Sequence, residues 1–130
     1  MSLFTDVNVV QYFVADWERA KKFYMDLLDW PVAYLDDRMG WMEFGEVGKT
    51  HLAINRWDQA VGPIPQNGAI AVLSVADAGA TLAALRARGV RCDDIAIIPG
   101  VVAVGAFYDT EGNRIQFASP LTETSGGAGV

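Results

Sequence analysis

The chain of 130 residues carries 10 Lys+Arg against 16 Asp+Glu, a formal net charge of −6, which argues against a nucleic-acid surface because phosphate neutralisation needs clustered positive charge. With 52% hydrophobic and 20% charged residues it can bury one real core and is expected to form a single domain over 1–130. It has no run of about 18 apolar residues and no basic start leading into an apolar stretch, so neither a membrane span nor a signal peptide is expected, and a soluble, cytoplasmic protein is.

The first predicted element is a β-rich run at 9–16, "VVQYFVAD". Asp16 is placed to cap a helix through its side-chain oxygen, and Ala20, Phe23, Tyr24, Leu27 and Leu28 recur at the spacing of one helical face. Asp29 and Pro31 end that helix. Short strands are then expected at 32–36, 40–45 and 50–56, the last two joined by the glycine-containing turn "GEVGKT". "WDQAVGPIPQNG" carries two prolines and two glycines and reads as a connecting loop.

The same order then repeats. "IAVLSVAD" at 70–77 mirrors 9–16 at an offset of 61 (70 minus 9). Asp77 caps a second helix, Leu82 and Leu85 mark its buried face, Arg86 and Arg88 suit its negative end, and Gly89 suits its stop. Strands are predicted at 94–98, 101–108 and 114–118, with "DTEGNR" as the final turn. The chain therefore reads as a first β-α-β-β-β module at 7–57, a linker loop at 58–68, a second module at 69–120 and a flexible tail at 121–130. With one helix per module, the economical α+β solution packs each helix on one sheet face and turns the other faces toward a shared interior.

"VADWERAKKFYMDLLDW", "SVADAGATLAALRARGV" and "FYDTEGNRIQF" together resemble the vicinal oxygen chelate superfamily, which includes glyoxalases, bleomycin resistance proteins and extradiol dioxygenases. The resemblance covers roughly residues 7 to 120. It implies the glyoxalase/bleomycin-resistance/dioxygenase fold, in which paired β-α-β-β-β modules form a curved mixed sheet around a cavity, and it implies a homodimer. A fold of this kind hosts many chemistries, so activity has to be argued from the site.

The resemblance also implies where a divalent metal would be held, at inward positions on the first and last strands of each module. Counting five residues back from Val14 gives Val9, and the offset gives Ile70; four residues past Gly112 stands Gln116, and four past Gly48 stands Leu52. His51, the only histidine, is then one residue out of register and expected on the helix side or the rim, since side chains alternate across a strand. Val9, Leu52 and Ile70 have no lone pair to give and Gln116 has one neutral amide oxygen, whereas catalytic metals generally need about three protein ligands. No metal cofactor is expected, the alternative being a site relocated to Asp36, Asp37, Glu43 or Asp94.

Other chemistries are weaker. His51 has a suitable pKa for a general base but no orienting partner visible in sequence. Cys92, the single cysteine, cannot form an internal disulfide and lies beside Asp93 and Asp94 as well as Arg91, so thiolate activation is unsupported. Strand alternation from the inward positions places Val9, Gln11, Phe13, Leu52, Ile54, Ile70, Val72, Ser74 and Gln116 on the cavity face, with Trp41 and Trp57 beside it as stacking surfaces. That composition suits a pocket for a small molecule, cationic or aromatic given the acidic balance. The favoured reading is a metal-free binding protein similar in type to bleomycin resistance proteins. The alternative is a lyase or dioxygenase with a relocated metal, or a metal-independent catalyst using His51 or Glu43.

Overall fold

The computed structural model describes residue 3 and residues 6–65, 68 and 70–121. The expected tail from 122 onward, part of the linker and Ala69 lie outside the described residues. The chain divides into two compact units, Met1–Asn67 and Gly68–Val130.

In the first unit, β1 (Val9–Val14) leads into α1 (Trp17–Lys21), and β2 (Val32–Asp36), β3 (Trp41–Phe44) and β4 (His51–Arg56) follow. The strands form one mixed sheet in the order β1-β4-β3-β2, with β1 parallel to β4 and the other pairs antiparallel. The Asp16 carboxylate accepts from Arg19 N at 3.2 Å, the predicted cap. Beyond Lys21 the helix continues as a π-helical stretch over Lys22–Leu27, closed by Leu28 N donating to Phe23 O at 2.9 Å. Each such turn takes one residue more than an α turn. Phe23 and Tyr24 are consequently buried while Leu27, expected on the same face, is rotated out to 37% exposure.

The helix lies against β3 through aromatic contacts. Tyr24 stacks on Phe44 with ring centroids 5.4 Å apart, and Trp30 stacks on the same ring at 5.8 Å. Directly paired residues of adjacent strands share a face. Phe44 pairs with Leu52 and Met42 with Ile54, so all four side chains belong to the helix face, and all are buried. Val10 and Tyr12 of β1 pair with Leu52 and Ile54 and complete this core. The other face carries Val9, Gln11 and Phe13 of β1, His51, Ala53 and Asn55 of β4, and Trp41 and Glu43 of β3.

This corrects the expected register of β4: Leu52 and Ile54 are core residues under the helix, and His51 shares the helix-free face with Val9. The β3–β4 loop occupies 45–50 whereas its counterpart occupies 109–113. An ungapped alignment of the two hairpins is therefore one residue wrong by the time it reaches β4, and a shift of one inverts the faces.

The second unit contains β5 (Val72–Ser74), α2 (Ala78–Ala87), β6 (Ala96–Ile98), β7 (Val102–Tyr108) and β8 (Arg114–Pro120), with strand order β5-β8-β7-β6. Asp77 accepts from Ala80 N at 3.1 Å, and the first helical N–H, that of Ala78, donates to Ser119 Oγ at 2.9 Å. The latter bond ties α2 to β8, so Ile115, Phe117 and Ser119, all buried, face the helix. Phe107 stacks on Phe117 at 6.3 Å. Gly105 lies directly against Phe117, since a Cβ there would come 2.3 Å from Phe117 Cζ. The motif "DTEGNR" is held by Asp109, whose Oδ1 accepts from Glu111 N and Asn113 N, both at 2.8 Å, and whose Oδ2 accepts from Asn113 Nδ2. Val72 pairs with Gln116 and Ser74 with Ala118, which puts Val72, Ser74 and Gln116 together on the helix-free face.

Leu52→Ala is expected to cost about 2–5 kcal/mol of stability, the range for a truncated core leucine. Urea unfolding measures it, and a loss below about 1 kcal/mol would return Leu52 to a solvated surface. Gly105→Ala should cost about 1–3 kcal/mol by overpacking against Phe117.

Candidate functional site

The helix-free face of the first sheet concentrates the side chains with chemistry. Three rows cross it. His51 lies beside Val9; Glu43, Ala53 and Gln11 form the next row; Trp41, Asn55 and Phe13 form the third. Trp57, just beyond β4, closes the end, its ring meeting Phe13 edge-on at 5.0 Å and its Nε1 donating to Gly62 O at 2.9 Å.

His51 and Glu43 are partners. His51 Nδ1 lies 2.8 Å from Glu43 Oε1, and Nε2 lies 2.9 Å from the carbonyl oxygen of Glu46. Both neighbours can only accept. A neutral imidazole has one N–H and would set a lone pair against an acceptor on its other side, so the doubly protonated ring fits best. Trp41 Nε1 donates to Glu43 Oε2 at 2.7 Å, so each carboxylate oxygen has a donor. The Glu43 carboxylate beside it, and then the Glu46 carbonyl, raise the His51 pKa above its ordinary 6.5. The hydrogen bonds from His51 and then Trp41 hold Glu43 below its ordinary 4.5. Both side chains are mostly buried, at 18% and 25% exposure. Gly45 leaves the imidazole its room: it has φ +133°, and a Cβ there would stand 3.0 Å from His51 Cδ2.

Next to this pair, Asn55 Nδ2 donates to Gln11 Oε1 at 2.9 Å across β4 and β1. Around the strand ends, Arg56 Nη1 and Nη2 donate to the carbonyls of Asp37 and Arg38, at 3.1 and 2.9 Å, holding the β2–β3 turn. A depression of about 500 Å³, lined by Met39, Arg56, Trp57, Asp58, Gln59 and Ala60, adjoins Trp57.

Of the residues expected at a ligand site, Val9, Gln11, Phe13 and Trp41 share this face, Trp57 packs at its end, and Leu52 and Ile54 do not belong to it. Val72, Ser74 and Gln116 share the helix-free face of the second sheet, and Ile70, 44% exposed, precedes β5. The sequence reading had no orienting partner for His51, and Glu43 supplies it. The signal was the pattern Trp41-x-Glu43, two residues on one strand face, but its link to His51 needs the β3–β4 pairing. Burial raises the Cys92 thiol pKa, which works against a nucleophilic thiolate.

The donor atoms of this face bear on whether a divalent metal could be held. No group of three or more His, Cys, Asp or Glu among the described residues is arranged to hold one. Val9 and Ile70 have no donor atom, and both His51 nitrogens face acceptors. These residues do not fit a metal centre.

The sequence pattern of the Glyoxalase/Bleomycin resistance protein/Dioxygenase superfamily matches residues 6–117. The chain belongs to that superfamily. Among solved structures it is similar to TnmS3, an antibiotic binding protein from Streptomyces sp. CB03234, at 25% identity over 93% of this chain and 100% of that one, with a TM-score of 0.73. A glyoxalase/bleomycin resistance protein from the same organism has 26% identity over 86% of this chain and 98% of its own, with a TM-score of 0.66. The lactoylglutathione lyase from Agrobacterium tumefaciens, at 15% identity and a TM-score of 0.66 over 91% of this chain and 96% of that one, shares the superfamily fold. No curated protein matches the chain. No described helix is long and apolar enough to cross a membrane.

The ion pair predicts a pH window. With its pKa raised on folding, His51 contributes stability in full below 6.5 and loses it as pH rises through the folded-state value. Glu43, lowered on folding, contributes in full above 4.5 and loses it as pH falls through its folded-state value. The stability gap between the protein and its His51→Gln variant should therefore be widest between these two pH values. The single histidine makes this visible by NMR: its ring resonances should titrate above 6.5, and Glu43→Gln should bring the midpoint back toward 6.5.

Proposed function

We propose that this superfamily member binds a planar small molecule on the helix-free face of its first sheet and holds it unchanged, without a metal. The observation that carries this reading is the engagement of His51 on both ring nitrogens. The one imidazole of the chain has no free lone pair with which to take a proton or ligate a metal. Around it the face offers recognition groups, namely the Phe13–Trp57 pair, the Trp41 indole and the Asn55–Gln11 amides. The likeness to TnmS3, an antibiotic binding protein, supports binding as the activity. Assembly as a homodimer belongs to the same proposal, and the mass in solution tests it.

One observation favours a second reading. A carboxylate on Nδ1 is the arrangement that orients a catalytic histidine, so release of Nε2 from Glu46 would turn the Glu43–His51 pair into a metal-independent acid or base.

Titration with planar aromatic compounds should quench the intrinsic tryptophan fluorescence. Trp57→Leu should weaken binding about 2- to 10-fold, the worth of one aromatic contact. Mass spectrometry should recover the ligand unaltered, and chelator should leave affinity unchanged. Turnover abolished by His51→Gln would establish the second reading, and turnover abolished by chelator would overturn both.

A further inference from the structure

We infer that the preferred ligand is a neutral planar molecule with a hydrogen-bond donor beside an acceptor on one edge, an amide, lactam or imide H–N–C=O, read by the side chains of Gln11 and Asn55. This rests on the reading that the helix-free face binds a small molecule.

An amide side chain has two N–H donors and one carbonyl oxygen. The bond from Asn55 Nδ2 to Gln11 Oε1 uses one donor of Asn55 and the oxygen of Gln11. The Asn55 carbonyl oxygen, its second N–H and the Gln11 NH2 group remain without a protein partner among the described residues. Exchanging the orientation of both amides leaves the same complement, one acceptor, one NH2 group and one further N–H. The bonded pair thus keeps an acceptor on one amide and donors beside it, the hydrogen-bonding complement of H–N–C=O.

The backbone holds the two residues in place. Gln11 pairs with Ala53, and Asn55 is the next residue of β4 on that face. Ala53, itself buried, stands between Gln11 and Glu43 in the same row. Phe13 and Trp57, edge to face beside the amides, offer the aromatic surface for a flat ring. The neighbouring charge is already matched, since Glu43 is bonded to His51 and Trp41. Selection here consequently follows the donor and acceptor pattern rather than charge. Because the amides are bonded to each other before the ligand arrives, little ordering entropy is left to lose on binding. A ligand without the N–H would leave the Asn55 oxygen unpaired under the ring.

The test uses isoquinolin-1(2H)-one, its N-methyl derivative, which lacks the donor, and naphthalene, which lacks both groups, with affinities read by calorimetry on the full chain. The lactam should bind about tenfold or more tightly than the N-methyl compound, the net worth of one or two hydrogen bonds. In the double variant Gln11→Leu with Asn55→Leu the ratio should fall to near one while the N-methyl compound still binds. Equal binding of lactam and N-methyl compound to the unaltered protein overturns this inference and leaves the binding reading standing. A ratio that survives in the double variant overturns it as well, because the discrimination would then be steric. Failure of all three probes to bind overturns the inference together with the reading beneath it. Gln11→Leu alone, at an exposed position, supplies the check should the double variant not fold.

Discussion

The stack of Tyr24 on Phe44 decides which face of the first sheet is hidden, and most of what the first unit can do follows from it. Phe44 is fixed on the helix side of β3, so its lateral partner Leu52 must be there too, and Ile54 beside Met42. Pleating then sends His51, Ala53 and Asn55 the other way. The π-helical stretch serves the same contact, because it brings Phe23 and Tyr24 inward at the expense of Leu27. A different packing of one aromatic pair would exchange the hydrocarbon and polar faces of β4.

Once that face is set, the polar residues on it largely satisfy one another. Glu43 binds His51 and Trp41, Asn55 binds Gln11, and Trp57 binds the following loop through Gly62. An imidazolium between a carboxylate and a carbonyl is a stabilised ion. It is consequently a poor base and a poor ligand, and the proposal of binding without chemistry rests on that. The superfamily includes both outcomes, and the fold does not choose between them. In this chain the lateral positions of that face hold valine next to histidine, alanine between two polar residues, and one amide bonded to another.

The second unit repeats the plan with different means of closing its last hairpin. Asp109 gathers the amide hydrogens of Glu111 and Asn113 and holds the turn. In the first unit, Lys49 N donates to Glu46 O, and the carbonyl of Glu46 also receives His51 Nε2. The first hairpin is one residue longer, so the repeat is close in fold and inexact in register.

Much of this was determined locally. The Val-Ala-Asp endings specify strands followed by capped helices because an aspartate at that place satisfies an otherwise unpaired N–H. The hairpins follow from glycine, and the placing of Val9, Gln11 and Phe13 on one face, like that of Val72 and Ser74, follows from alternation along a single strand. The identity of the site in β4 did not. Leu52, Ala53 and Ile54 are three apolar residues in a row, all buried, so the period of two carries no phase there. Loop length then misled the count by one. Only the pairing of β3 with β4 and the aromatic stack on Phe44 settled the phase, and with it the meeting of Glu43 and His51, because a contact between strands depends on lateral register that no single strand records.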